Sequence, residues 1–589
     1  MERAMTAEQI RKLFEEAEES IYYMHPANGL MATITVKKGR GEDEDDITED
    51  IKIAGVFEIL GRIRDPKGEG WARLLRWRDA DNVWHTYAVS DASLHGDPTA
   101  LCSELASRGL EITTSKHRPH LIHYLNQDNH PHRLTEVPTT GWHDVAGKKI
   151  FVLPEQFIGA KGEKVIVRGS GDTSPFERQG TLTDWKAGVG SLVAGHARAV
   201  FEISAALSAP LLKPLGMEGG GFHLYGRSSM GKTTLVKAAA SVWGKGATDP
   251  GFVRSWRSTA NHLEAVAALH TDTILPLDEL GVVEAKEAAA AVYSLTSGIG
   301  KGRANREGYA RPSLTWRVII LSSGEIRLTD KLVEDRRKPH VGQQVRLVDI
   351  PADAGNGFGV FDRNDDHRGS QILADKIKEA AQTNYGTAGP EFVRKLIAEG
   401  DIAKIKLMIQ LFRRNVPKDP DGQVLRVADR FGLVAAAGEI AIQHGIVPWD
   451  AGAAIEAAKT CFDAWFANRG GAGAGEDIAA IAQVRLFIER HGEARFQPDD
   501  ASNNASPIRD RAGFRRGDGD TRVWLILPET WKAEVCVGLN PTAVAKALAA
   551  RGMLKPDSKG GYSRPERIAG NQKPSRVYVV TNEIMTEGE

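Results

Sequence analysis

The chain has 589 residues, 41% of them hydrophobic and 26% charged, the balance of an ordinary globular protein, and its length predicts several domains rather than one core. Lys and Arg number 76 against 77 Asp and Glu, which excludes a uniformly basic coat and confines any nucleic-acid contact to local patches. Three widely spaced cysteines (Cys102, Cys461, Cys536) exclude a disulfide framework or a Cys-rich zinc site and fit a reducing cytoplasm. No stretch approaches the roughly 20 apolar residues of a membrane span, so no membrane contact is expected.

Along the chain, Ile10, Leu13, Phe14, Ala17 and Ile21 recur at helical spacing over 6–24, and GRGEDEDDITED (39–50) reads as an acidic linker. Residues 1–50 are therefore expected to be a helix and a linker. Short β-branched and aromatic runs from 51, with a helical pattern at 99–110, predict a mixed α+β domain to about 185. A long apolar helix over 188–212, interrupted by Glu202, leads into regular α/β alternation, assigned to 186–355. Helical patterns fill 356–469 as a lid, GGAGAGED (470–477) is a linker, and 478–589 forms a last domain.

The strongest motif is in the α/β region. An apolar strand, Phe222–Tyr225, precedes Gly226-Arg227-Ser228-Ser229-Met230-Gly231-Lys232-Thr233-Thr234, which opens a helix. The spacing is that of a phosphate-binding loop. Glycines let successive N–H groups face phosphate oxygens, Lys232 reaches the β/γ-phosphates, and the Thr233 hydroxyl ligates Mg²⁺. ATP and Mg²⁺ are thus the expected cofactors. Downstream, Thr273–Leu277 ends in Asp278-Glu279, where Asp278 would hold Mg²⁺ through water and Glu279 would act as general base. Pro276 conflicts with a central strand, because it lacks a ladder donor.

Trp316–Leu321 is a further apolar strand ending in Ser322 and Ser323, candidates for contact with the γ-phosphate or attacking water, as on the additional strand of some ATPases. Arg336 or Arg337, or else Arg346, is a candidate arginine finger acting on a neighbour's nucleotide. Arg426 and Arg430 share a helix face and are candidates for closing over the phosphates. Lys301, Arg303, Arg306 and Arg311, among glycines, predict a basic hairpin suited to a phosphodiester backbone. The last domain reads as a winged helix, with PTAVAKALAARGML as recognition helix and Lys559, Arg564, Arg567 and Lys573 on a basic wing.

Taken together, GWH (141–143), GRSSMGKTT (226–234), WRSTAN (256–261), LDELG (277–281), GKGRANREG (300–308), LSSGE (321–325) and GQQVRLVDIP (342–351) resemble domain-of-unknown-function family 927. Its members are helicase-like AAA+ ATPases of phages and mobile elements. The resemblance spans most of the chain after about residue 50. It implies an α/β fold: a P-loop AAA+ (additional-strand) core with an N-terminal α+β domain, a helical lid and a C-terminal winged helix. It also implies an ATP-driven helicase or translocase in replication, assembled as a homo-oligomeric ring and acting on single-stranded or forked DNA. Such proteins are often joined to a primase, but the lack of Cys-rich zinc spacing and of an acidic cluster early in this chain predicts a separate primase and other replication proteins as partners. Two other classes fit the motifs: an ATP-dependent DNA-binding switch or loader that does not unwind, and an AAA+ protein remodeller. The hairpin's one aromatic, Tyr309, against four cations favours nucleic acid over polypeptide.

Overall fold

The computed structural model describes residues 21–38, 45–154, 156–159, 164–167, 174–248, 250–304, 310–311, 313–333, 346–364, 369–416, 420–469, 475–499, 508–558, 560–569 and 573–586. Among these, no helix is long and apolar enough to cross a membrane.

The chain's first described element is a strand, not a helix. Ile21–His25 pairs antiparallel with Gly29–Lys38, which pairs with Asp45–Ala54. The expected helix over 6–24 therefore ends in strand, its first fifteen residues lying outside the described set. The expected acidic linker is strand from Asp45 onward. Ile47, Ile51 and Ile53 fall on one parity of that edge strand, and edge strands tolerate the acidic residues between them. Asp50 is held by Thr33 Oγ1 (2.6 Å) and the Tyr23 hydroxyl (3.1 Å).

Beyond it lies a five-stranded sheet ordered Lys164–Val167, Arg133–Val137, Phe57–Arg64, Ala72–Arg78, Trp84–Ser90. Helices Pro98–Ser107 and Arg118–Gln127 contribute Leu101, Leu105, Leu121 and Leu125 to the core that covers Leu75 and Trp77. A small antiparallel sheet, Gly141–Val145, Lys148–Leu153 and Gln156–Gly159, follows. It is anchored to the next unit by the buried Asp272 carboxylate, which accepts from Trp142 N (2.9 Å) and from Arg317 Nε (2.9 Å).

The central sheet is wholly parallel, ordered Arg254–Ser255, Ile274–Asp278, Ile319–Gly324, Gly220–Tyr225, Leu347–Pro351. Its long strands are buried on both faces, as a helix-covered parallel sheet requires. On one face Phe222, Leu224, Ile319 and Leu321 meet Phe201, Leu235, Phe431 and Phe462. On the other, Leu275, Leu277 and Ile320 meet Leu263, Ala288, Val292 and Leu328. Pro276 is accommodated because the Arg254–Ser255 strand pairs only Leu277 and Asp278, so one flank of the strand at Pro276 has no ladder to lose.

Residues 188–212 do not form one helix. A π-helical turn, Lys186–Gly190, and a break precede Ala197–Ser208, which then continues through a 3-10 turn. Every side chain from Arg198 to Ser208 is buried, because helices Lys232–Ala240, Gly422–Gln443 and Ala453–Arg469 surround it. The last two helices, expected in a lid, share one continuous core with the sheet. The C-terminal module joins helix Gly475–His491 and the Asn540-capped helix Pro541–Ala550 to a sheet that includes the antiparallel pair Arg564–Glu566 and Ser575–Thr581.

Glu202 does not interrupt its helix; it is sealed in it. Neither carboxylate oxygen has a hydrogen-bond partner among the described residues, and burial pushes its pKa from 4.5 up to about 8. Below pH 4.5 both folded and unfolded chains carry the proton and no penalty arises. From there to about pH 8 only the folded chain keeps it, so this residue makes stability fall with rising pH, by up to about 1.4 kcal/mol per unit. Glu202→Gln should remove that slope. Urea unfolding should then show the variant's advantage over wild type growing from about pH 5 to about pH 8.

Candidate functional site

The Gly220–Tyr225 strand delivers the loop 226–231 to the C-terminal edge of the sheet. Gly231 sits at φ +94°, and a Cβ there would come within 2.8 Å of Val360 Cγ2, so only glycine fits where the helix Lys232–Ala240 starts. No side chain caps that helix, which leaves its first N–H groups facing the cavity as an anion site. Lys232 folds back over the loop, donating from Nζ to the carbonyls of Gly226 (2.8 Å) and Arg227 (2.6 Å). Burial lowers its ammonium pKa from the ordinary range, while Glu325 and Asp278 oppose that shift.

The acidic half faces it. Asp278 ends the Ile274 strand, nearly buried, and its Oδ1 accepts from Thr233 Oγ1 (3.1 Å) and from the Ser323 hydroxyl. The phosphate-loop helix and two adjacent strands thus meet at one carboxylate. Glu279 leaves the strand at φ +62°, a left-handed conformation that costs a non-glycine residue on the order of 1 kcal/mol. Its side chain is exposed beside the cavity. Arg227, Ser228, Ser229, Met230 and Thr234 complete the phosphate-loop wall of a cavity of about 1090 Å³.

The two serines of the Ile319–Gly324 strand separate by parity. Ser323 reaches Asp278, whereas Ser322 faces the opposite side and does not line the cavity. There Trp256 Nε1 donates to Ser322 Oγ (2.8 Å), whose proton then serves His223 Nδ1 (2.8 Å), and His223 Nε2–H donates to the Ile326 carbonyl (3.0 Å). The chain of donors fixes His223 as the neutral Nε2–H tautomer, in keeping with the pKa lowered by its burial. Ser322 is therefore a strand clamp, and its expected contact with phosphate or water is corrected.

Arg430 is also corrected. Its guanidinium lies against Gly220, at the opposite end of the strand from the phosphate loop. It is buried, its pKa pulled down to about 10 by desolvation, with Glu218 favouring the charge and Arg346 opposing it. Arg426, one turn earlier and exposed, does not line the cavity either. The physical cause is that helix Gly422–Gln443 packs in the core rather than over the sheet edge. Arg336 and Arg337 lie outside the described residues.

The hairpin forms, with Arg303 and Ala304 paired to Arg311 and Ala310. Lys301 at its base is exposed, while Arg306 lies outside the described residues. In the C-terminal module Arg567 and Lys573 are exposed, Lys559 is outside the described set, and Arg564 is tied to Glu566 (2.8 Å). Motif reading missed Glu325, Lys331 and the segment Asp353–Phe361, all of which line the cavity. The alternating glycines of DAGNGFG (353–359) were the available signal.

These motifs fall largely within a stretch that a family model also recognises, described as Domain of unknown function (DUF927). Residues 24–314 are a DUF927 match. This bears out the family resemblance, with a span that starts before residue 50 and stops short of the 321–325 and 342–351 motifs. No curated protein matches the chain. A solved structure described as "SCCmec type IV Cch - active helicase" aligns with a TM-score of 0.71 at 17% identity, covering 96% of this chain and 99% of that one. At that identity the likeness is one of fold, and it extends beyond the DUF927 span to nearly the whole chain.

The serine parity is testable. Ser322→Ala strands the buried Trp256 and His223 ring nitrogens and should cost about 1–3 kcal/mol in urea unfolding. Ser323→Ala removes one donor from Asp278, which keeps Thr233 and the open cavity, and should cost less than Ser322→Ala.

Proposed function

We propose that this chain is an ATP-driven DNA helicase or translocase built on a P-loop AAA+ core of the additional-strand type. The single observation that carries the reading is the junction at Asp278, where the phosphate-loop helix (Thr233), the acidic strand and the intervening strand (Ser323) meet within hydrogen-bond reach beneath Lys232. The strand order, with Ile319–Gly324 between the other two, supports the additional-strand assignment. The fold shared with a protein described as an active helicase supports the motor reading.

Of the oxygens at the junction, the Thr233 hydroxyl and the Asp278 carboxylate suit a hard cation, to which phosphate oxygens and water would add the remaining ligands. Thr233 and Asp278 would hold Mg²⁺, which supplies charge neutralisation at the β- and γ-phosphates. On ATP binding, Lys232 exchanges its loop carbonyls for phosphate oxygens. Glu279 orients and deprotonates the attacking water, and its exposed position at the sheet edge leaves room for that water. Ser323 fixes the Asp278 carboxylate. Arg336, Arg337 or Arg346 from a neighbouring subunit would complete the transition-state charge, in a homo-oligomeric ring.

The DNA contacts in this reading are the hairpin (Lys301, Arg303, Arg306, Arg311) and the winged helix with Lys559, Arg567 and Lys573, acting in the cytoplasm with separate primase and replication proteins of a phage or mobile element. Arg564 is a weaker contact because Glu566 shares its charge. Hydrolysis should rise with single-stranded DNA, and the native mass should be a multiple of the chain. Lys232→Ala should abolish nucleotide binding. Glu279→Gln should retain binding but lose about 10²–10⁴-fold in hydrolysis, the usual worth of a general base. Normal turnover by either variant would refute the site. DNA-independent turnover would instead favour a protein remodeller, and DNA-stimulated turnover without strand displacement a switch or loader.

A further inference from the structure

The cavity at the phosphate loop is larger than a triphosphate needs, and one wall of it comes from a segment with no role so far. Residues 352–362 leave the last central strand and cross the phosphate loop. The start is pinned by Ala352 N donating to the Tyr225 carbonyl (2.8 Å). The end is pinned by Val360 N donating to the Met230 carbonyl (2.9 Å) and by Asp362, whose carboxylate accepts from Ala197 N (2.6 Å). Gly359 makes the crossing possible: at φ +66°, a Cβ there would lie 2.4 Å from Met230 O.

Between these pins the segment closes on itself. Ala354 N donates to the Gly359 carbonyl (2.7 Å), and Asp353 Oδ1 accepts from Gly355 N (2.8 Å). The closed tip therefore projects two side chains of different chemistry along the same wall. Phe358 is half-buried, its ring packed against the main core yet still lining the cavity. Asp353 is exposed there with one carboxylate oxygen engaged in the turn. An aromatic face and an anionic acceptor serve no phosphate. They suit a heterocyclic base, which stacks on aromatic rings, and sugar hydroxyls, which donate to carboxylates.

We propose that Asp353–Phe361 is the nucleoside-reading loop: Phe358 stacks on the base and Asp353 accepts a hydrogen bond from the ribose hydroxyls. The site is thereby selective for a nucleoside triphosphate over inorganic polyphosphate. This rests on the nucleotide-binding reading given above, and it assigns specificity to residues outside the phosphate-loop motif. Fixing the loop directly on Met230 and Gly231 couples the nucleoside half of the ligand to the phosphate half without a hinge.

The test is equilibrium binding of the full chain, in Mg²⁺ buffer, to three probes: ATP, 2′,3′-dideoxy-ATP and tripolyphosphate. Wild type should bind ATP more tightly than either of the others. Phe358→Ala should weaken ATP about 10-fold or more, the scale of a lost base–aromatic stack, and leave tripolyphosphate within about two-fold, with Phe358→Tyr restoring ATP. Asp353→Ala should bring ATP down to the affinity of the dideoxy compound while leaving that compound unchanged. Unaltered ATP binding in Phe358→Ala, an equal loss of ATP and tripolyphosphate, or a wild type that does not distinguish the three probes would each overturn the proposal. A wild type that binds none of them, or a Lys232→Ala protein that binds all of them, would overturn the nucleotide reading itself.

Discussion

Everything at the sheet edge depends on one carboxylate being approached by hydroxyls from two other elements. Asp278 accepts from Thr233 on the phosphate-loop helix and from Ser323 on the strand between. That meeting is a consequence of register. Gly220 lies beside Ile319, and Leu277 beside Ser322, so the three strands run out of length at the same level. A one-residue slip of Ile319–Gly324 would exchange Ser323 for Ser322 and turn a cavity-facing hydroxyl into a core-facing one. The Trp256–Ser322–His223 chain guards against that slip: three buried polar groups are satisfied only in this register, and each would otherwise remain unpaired in an apolar surrounding.

Asp349 acts in the same sense from the other side. Its buried carboxylate accepts from Leu328 N (3.0 Å) and Thr329 N (3.4 Å), holding the start of helix Leu328–Val333 just beyond the strand that carries the serines. The polar groups buried beneath the cavity thus form a scaffold whose members belong to different strands. The cavity edge is therefore set by hydrogen-bond accounting as much as by apolar packing.

Much of this was legible in the sequence because its signals are local. GRSSMGKTT carries its own geometry, and an apolar run ending in Asp-Glu or Ser-Ser announces a strand reaching a polar edge. What was not legible depends on partners far along the chain. Parity alone separates Ser322 from Ser323, and parity follows from pairing with two strands far back in the sequence, Gly220–Tyr225 and Ile274–Asp278. Arg426 and Arg430 have the helical spacing of a closing pair, but the helix was recruited into the core by Phe431, which meets Phe201 and Phe222. The acidic run before residue 51 has the composition of a loop, and Ile47 within it with Ile51 and Ile53 just after it were enough to make an edge strand once Gly29–Lys38 offered a ladder. The glycines of 355–359 were visible but had no familiar spacing, so their purpose emerged only from the loop they cross.

The anchoring of Trp142 on Asp272 has a practical corollary for anyone trimming the gene. Composition places the start of the α/β unit near residue 186, yet Trp142, Phe151 and Ile158 belong to the same apolar cluster as the central sheet, and Trp142 Nε1 donates to the Pro210 carbonyl (2.7 Å). A fragment cut at 186 would uncover a ragged oily seam and leave Asp272 short of a donor, inviting aggregation whatever its catalytic competence. The minimal soluble piece should instead begin ahead of Thr140, whose hydroxyl bonds the carbonyls of Leu269 and Thr271, so that the small sheet travels with the central sheet as its cladding.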